Sequence, residues 1–197
     1  MSKTIKILKK NRGYDGFFKV DEMHYQFSRY QGGLSNPIQR EVFNRGEAVV
    51  VLLFDSKNEY IVLVEQCRAG ALENSNHNNE SAWLLEPVAG MIDAGETELE
   101  TCKRETFEEA GINIAEADFE FISRYYPSPA ACSEILHLYA ADIDSSKLAD
   151  YAGLESEDED IKIVKIKFSE AKKRLKNGEF NVASTIIALQ WLFFQKR

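Results

Sequence analysis

Cysteine is scarce in this chain and does not pair up. Cys67, Cys102 and Cys132 are scattered, odd in number, and none stands at a metal-binding spacing. That excludes a disulfide framework or a zinc ribbon and points to a reducing cytoplasm. Long apolar runs are missing too. None approaches the roughly 20 residues that a membrane-crossing helix needs, so no membrane partner is expected. Met1 to Arg12 holds basic residues with no long apolar stretch behind them, which is not the pattern of a secretory leader. Positive charge is short overall, with 24 Lys and Arg against 32 Asp and Glu, a net of −8. With no basic stripe to follow a phosphate backbone, a nucleic-acid partner is not expected. Acidity does not exclude a phosphorylated small molecule, because carboxylates can collect divalent cations that reverse the local sign.

What is present suits an ordinary folded core. Hydrophobic residues make up 44% of the 197 and charged residues 28%, in the range of one sizeable domain or one domain with a small appendage. Residues 14–45 read as strands and turns: Tyr14 to Val20, Met23 to Tyr30 and Ile38 to Phe43, with Gly32-Gly33 as a turn. They predict a small antiparallel sheet outside the main core. Ala48 to Phe54 and Tyr60 to Val64 are continuous apolar runs around a polar turn, a buried hairpin. Residues 73–81 are polar and Asn-rich and read as a surface loop. Trp83 to Val88 reads as a strand. Thr97, with Glu100 three residues on, opens a helix over 97–110 that Gly111 closes. Phe119 to Tyr126, Ile135 to Ala141 and Ile161 to Phe168 read as strands, Ser169 to Asn177 and Val182 to Phe194 as helices. Strands interrupted by a few helices predict an α/β fold, a mixed sheet with helices on both faces.

The chemistry lies in the 97–110 helix. At about 100° per residue, Glu105, Glu108 and Glu109 share one face, while Leu99, Cys102, Thr106 and Ala110 point toward a core. Three carboxylates on one stripe repel each other, and a helix tolerates that when cations bind there. Mg²⁺ prefers oxygen ligands and is held by a few carboxylates together with substrate phosphates. The stripe therefore reads as a metal platform, with Arg104 beside it to orient a glutamate by paired hydrogen bonds. A solvated acidic face is the plainer reading of such a stripe. The wider pattern argues against it: Gly90, Glu96, Arg104-Glu105, Glu108-Glu109 and Gly111 at their fixed spacing, closed by Ile112. Seven fixed residues would fall this way by chance with a probability on the order of 10⁻⁸ per start position.

That pattern resembles the Nudix box at every fixed position, with Thr106 where an aliphatic residue is common. The resemblance implies an α/β/α sandwich and hydrolysis of a nucleoside diphosphate linked to another moiety. It implies Glu105 and Glu109 as metal ligands, Glu108 and the Ala89 carbonyl as further ones, and Arg104 as the holder of the glutamates. Pro127, sixteen residues past Gly111, and Tyr126-Pro127-Ser128-Pro129-Ala130 resemble the ADP-ribose pyrophosphatase branch, with Ala130 where that branch has Gly. Trp83 to Glu86, Val88 to Met91 and the Ile187-Ala188-Leu189-Gln190-Trp191 stretch are similar to it as well.

From the branch follow expected substrate contacts: an adenine-stacking pair, Phe17 and Phe18, and a strand set, Arg40, Glu41 and Arg45, that can reach the partner subunit's site. Arg68 would fork onto a phosphate, and Met91, Ser128 and Glu134 would line the ligand. The acidic run 155–160 matches a loop that carries the catalytic glutamate, Glu157, and another metal ligand, Glu159. The implied reaction is attack of water on the diphosphate of ADP-ribose with Glu157 removing the proton, aided by two or three Mg²⁺ ions for which Mn²⁺ substitutes. A homodimer is implied, divided into an N-terminal β segment, 1–45, for dimerisation and substrate contact, and a hydrolase domain, 46–197. GDP-mannose or another nucleoside diphosphate sugar is the alternative substrate. A non-catalytic nucleotide-sugar sensor is the alternative from another class.

Overall fold

The computed structural model describes residues 3–78 and 80–196. They fall into two units, one of the residues up to Glu47 with Tyr126–Ile135, the other of Ala48–Tyr125 and Leu136 onward. In the smaller unit, β1 (Ile5–Asp15), β2 (Lys19–Phe27) and β3 (Ile38–Asn44) form an antiparallel sheet in that order. The expected strand at Tyr14 to Val20 is instead a hairpin folded on itself: Tyr14 lies opposite Val20 and Asp15 opposite Lys19. Gly16 N–H donates to Phe18 C=O at 3.1 Å to close it. β1 also reaches back to Ile5, into a segment that gave no strand signal. All but one of its residues are exposed, so burial imposes no alternation there, and pairing with β2 holds the strand. Gly32 and Gly33 take positive φ, 92° and 73°, as their turn requires. The 126–135 segment is tied in through Phe43, whose N–H donates to Ala131 C=O at 2.7 Å and whose C=O accepts from Ser133 N–H at 3.0 Å.

The larger unit is built on the two apolar runs, β4 (Glu47–Asp55) and β5 (Tyr60–Cys67). The polar stretch after β5 forms a short helix, α1 (Leu72–Asn78), where a loop was expected. It has no apolar stripe, so the helical period does not show. The single strand expected at Trp83 to Val88 is two, β6 (Trp83–Glu86) and β7 (Val88–Met91), split at Pro87. β4 pairs with β5 only through Leu53–Asp55 and with β7 through Ala48–Val51. β5 pairs with β6 through Val64–Cys67. The two central strands thus diverge, β6 and β7 fill the opening, and proline, with no N–H for a ladder, sits at the step between them.

Beyond them come α2 (Glu98–Ala110), β8 (Glu120–Tyr125), β9 (Ile135–Asp142), β10 (Tyr151–Ala152), β11 (Ile161–Lys167), α3 (Phe168–Lys176) and α4 (Ala183–Phe194). The sheet order is β10-β11-β5-β4-β9-β8. β5 and β11 run antiparallel. Gly46 C=O accepts from Ile135 N–H and Phe54 C=O from Ile143 N–H, the same offset at both ends, so β4 and β9 run parallel and the sheet is mixed.

Alternation along β4 and β5 divides the interior in two. Val49, Val51, Leu53, Val62 and Val64 pack with Cys102 and Ala110 of α2. Val50, Leu52, Phe54, Ile61 and Leu63 pack with Ala171 and Leu175 of α3 and Leu189 and Trp191 of α4. A strand buried on both faces must be apolar at every position, which is why these runs do not alternate with polar residues. The result is the α/β sandwich with helices on both faces that the sequence predicts. No helix among the described residues is long and apolar enough to cross a membrane.

Candidate functional site

α2 is fixed at both ends by local chemistry. Thr97 accepts the Glu100 N–H and Glu100 accepts the Thr97 N–H, a complete capping box, while Gly111 ends the helix at φ 67°. Thr101, Cys102, Thr106 and Ala110 are fully buried, which sets the helix's rotation and with it the direction of the carboxylates.

Arg104 organises them. Its Nε and one Nη each reach Glu96, both at 2.9 Å, and the same Nη reaches Met91 C=O at 3.1 Å. The other Nη donates to Glu105 at 2.6 Å and Glu108 at 3.1 Å. This planar fork on three carboxylates is what a guanidinium offers and an ammonium does not. The Arg104 hydrogen bonds hold the Glu96 carboxyl down at about 2. Glu105 is buried, and its carboxyl is raised by that burial although Arg104 opposes the shift. Glu109 is only 2% exposed. Burial pushes its carboxyl up to about 8, against a 3.0 Å hydrogen bond from Ala89 N–H, while Glu105 and Glu159 push it further.

β7 meets this cluster with Gly90. A Cβ on Gly90 would stand 1.7 Å from Glu105 Oε1, so the carboxylate lies flat on the backbone only because glycine is there. The acidic loop comes to the same helix: Gly153 N–H donates to Glu108 C=O at 3.1 Å, and the Glu159 charge is felt at both Glu105 and Glu109. The Glu157 side chain lies outside the described residues. Arg68, just past β5, pairs through Nε with Glu86 of β6, and its charge bears on Glu109. Met91 is half-buried and takes part through its carbonyl.

The remaining expected contacts lie in the smaller unit. Phe17, 85% exposed, meets Phe18 edge-on at 4.8 Å, and Phe18 meets Phe43 at 5.2 Å. Arg45 lies over the Phe18 ring at 5.2 Å, with Nε 3.0 Å from Glu134 Oε1, an ion pair short of hydrogen-bond geometry. Glu134 is buried, and its carboxyl is raised by that burial, with Arg45 opposing. Ser128 is exposed, and its carbonyl accepts from Cys132 N–H at 3.0 Å in the turn of the 126–135 segment. Arg40 and Glu41 are exposed on β3. Arg40 donates to Gln39 C=O at 2.7 Å, and across the strand pair Arg40 lies opposite Met23 and Glu41 opposite Glu22.

A family model for the NUDIX domain matches residues 44–184. The chain belongs to the Nudix hydrolase family. The ADP-ribose pyrophosphatase of Escherichia coli (strain K12) is 34% identical over 188 residues, 95% of this chain and 87% of that protein. The ADP-ribose pyrophosphatase of Haemophilus influenzae has the same identity over 95% of the chain and 85% of its own length. A GDP-mannose pyrophosphatase of Escherichia coli (strain SMS-3-5 / SECEC) is 32% identical over 192 residues, 98% and 96% of the two chains. The crystal structure of an ADP compounds hydrolase superposes with a TM-score of 0.68 over 98% of this chain and 96% of its own, at 23% identity, a likeness of fold.

In this Nudix chain the oxygen-rich set suits a hard divalent cation. Glu96, Glu105 and Glu108 share one arginine, and Glu109 has one backbone N–H and the field of Arg68, so negative charge is in excess. Among the described residues no three acidic or ligating side chains converge on one point; the carboxylates turn toward Arg104 and Ala89 N–H instead. Sequence reasoning gave Glu96 no role, yet it takes two of Arg104's hydrogen bonds. It also missed Glu86, which orients Arg68. Glu86 is eighteen residues away and meets Arg68 only because β6 folds back on β5, a contact without a local signal.

Proposed function

We propose that this Nudix hydrolase cleaves the pyrophosphate of ADP-ribose with Mg²⁺, giving AMP and ribose 5-phosphate. The observation that carries the reading is the carboxylate helix, clamped by Arg104 and pressed on Gly90, in a chain 34% identical to ADP-ribose pyrophosphatases over nearly its whole length. Glu105 and Glu109 would hold the ions, with Glu108, Glu159 and the Ala89 carbonyl as further ligands. Two or three Mg²⁺ ions, or Mn²⁺ in their place, would supply positive charge to the diphosphate and acidify the attacking water. Glu157 takes the proton from that water as it attacks phosphorus. Arg68, oriented by Glu86, neutralises a phosphate oxygen as the bond to the leaving phosphate breaks. The exposed Phe17 ring and its neighbour Phe18 stack on the adenine, Arg45, Glu134 and Ser128 fix the nucleotide's polar groups, Met91 lines the pocket, and Arg40 and Glu41 complete the set. The working form is a cytoplasmic homodimer with no nucleic-acid partner. In each subunit residues 1–45 serve dimerisation and substrate contact, and 46–197 carry the hydrolysis.

GDP-mannose is the second reading, favoured by the relatives of that name at 32% identity over 98% of the chain. A panel of ADP-ribose, GDP-mannose and diadenosine polyphosphates, run with purified protein with and without Mg²⁺, separates the readings. The expected result is AMP and ribose 5-phosphate from ADP-ribose, lost on chelation. Faster release of GMP and mannose 1-phosphate would move the assignment to GDP-mannose.

A further inference from the structure

Gln66 is 8% exposed, yet its side-chain nitrogen has no hydrogen-bond partner among the described residues. A buried amide donor left unmade costs on the order of 1–3 kcal/mol, so such groups in a folded protein are few and ask for a reason. Its place in the fold supplies one. Val62 and Val64 of β5 pack beneath α2 with Cys102 and Ala110. Side chains two apart on a strand point the same way, so Gln66 faces the carboxylate helix. So does Arg68, whose backbone continues extended at φ −108°, ψ 121°. The acidic loop springs from the same end of the sheet: β11 starts at Ile161, and Lys162 pairs with Glu65. The orphan amide therefore lies on the face of β5 that carries Arg68, toward the helix that bears Glu105 and Glu109.

We propose that Gln66 is a substrate-contacting residue, whose side-chain amide donates to an oxygen of the diphosphate held at the carboxylate helix. This rests on the pyrophosphatase reading above. The neutral donor suits its surroundings. It can meet an anionic oxygen without adding a charge that would compete with the divalent ions for the glutamates. A carboxylate there would repel the diphosphate, and an apolar group would leave one phosphate oxygen desolvated and unpaired. The cost of holding the amide unpaired falls on the free protein and is relieved on binding, as at other sites where function and stability conflict.

The test uses Gln66→Met, close in shape without the donor, and Gln66→Glu, which replaces the donor with a negative acceptor. Steady-state kinetics on ADP-ribose with Mg²⁺ should show KM raised about tenfold or more in Gln66→Met, with kcat within about threefold, and a larger loss in Gln66→Glu. The thermal midpoint of free Gln66→Met should equal or exceed that of the parent, since an unpaired buried group has been removed. A residue with a merely structural role would give the reverse, a lower midpoint with KM unmoved, and that result overturns the proposal. Calorimetric binding of inorganic pyrophosphate with Mg²⁺ keeps the two readings apart. Parent protein that binds pyrophosphate but leaves ADP-ribose intact contradicts the substrate assignment alone, and weaker binding by the variants then still supports Gln66. Equal binding by parent and variants, or none by the parent, overturns the role given to Gln66.

Discussion

Gly90 and Glu105 illustrate how narrow the tolerances of the site are. A methyl at position 90 would overlap the Glu105 carboxylate, and either the strand or the glutamate must move. Because Arg104 grips Glu105, Glu96 and Glu108 together, the shift spreads to the whole cluster. Gly90→Ala should therefore lower kcat on the order of 10²-fold, as lost support of the metal-holding role proposed for Glu105 would, while the protein stays folded by circular dichroism. An unchanged kcat would mean that the carboxylate's place on the backbone does not matter. Glu157 is a test of another kind, because its role comes from resemblance and position in the acidic loop. Glu157→Gln should reduce turnover by roughly 10²-fold or more with substrate affinity largely kept. Isothermal titration beside a rate assay separates the two quantities, and near-normal turnover would remove Glu157 as the base.

At the scale of the element, the small sheet carries a buried charge that ties its strands. Asp21 on β2 takes Lys10 and Arg12 from β1 and Asn44 from β3. Hydrogen bonds from Lys10, then Asn44 and Arg12, hold its carboxyl at about 2, below its ordinary 3.8. A depressed value in the folded state means the stabilisation is complete above about pH 4 and fades as pH falls toward 2. Thermal midpoints of parent and Asp21→Asn should thus differ most above pH 4 and converge toward pH 2. A gap that ignores pH would contradict this linkage. The same sheet marks the limit of sequence reading. β4 and β5 were legible because burial on both faces demands unbroken apolar runs, and α2 because Thr97, Glu100 and Gly111 write its ends locally. β1 was not, since an exposed strand has no pattern to show and is held by pairing with β2. In the site, the face shared by Glu105, Glu108 and Glu109 followed from helical period. The Glu86 partner of Arg68 and the stranded amide of Gln66 depend on how β5, β6 and α2 pack, which spacing does not express.

For the molecule as a whole, the apolar side chains on β1 bear on assembly. Ile5, Ile7, Leu8 and Tyr14 are exposed on an edge strand of a three-stranded sheet, a size of sheet that is marginal by itself. Covering them with a second copy is the simplest use of that surface, and light scattering should return about twice the 22.4 kDa of one chain. A monomeric mass at assay concentration would count against the dimer. The division of the interior by β4 has its own bearing on how the protein can change. Val51 answers to the carboxylate helix and its neighbour Leu52 to the opposite layer. Sequence drift among α3, α4 and their side of the strands can therefore proceed with little retuning of the glutamates, while the other side must keep its shape or lose the chemistry.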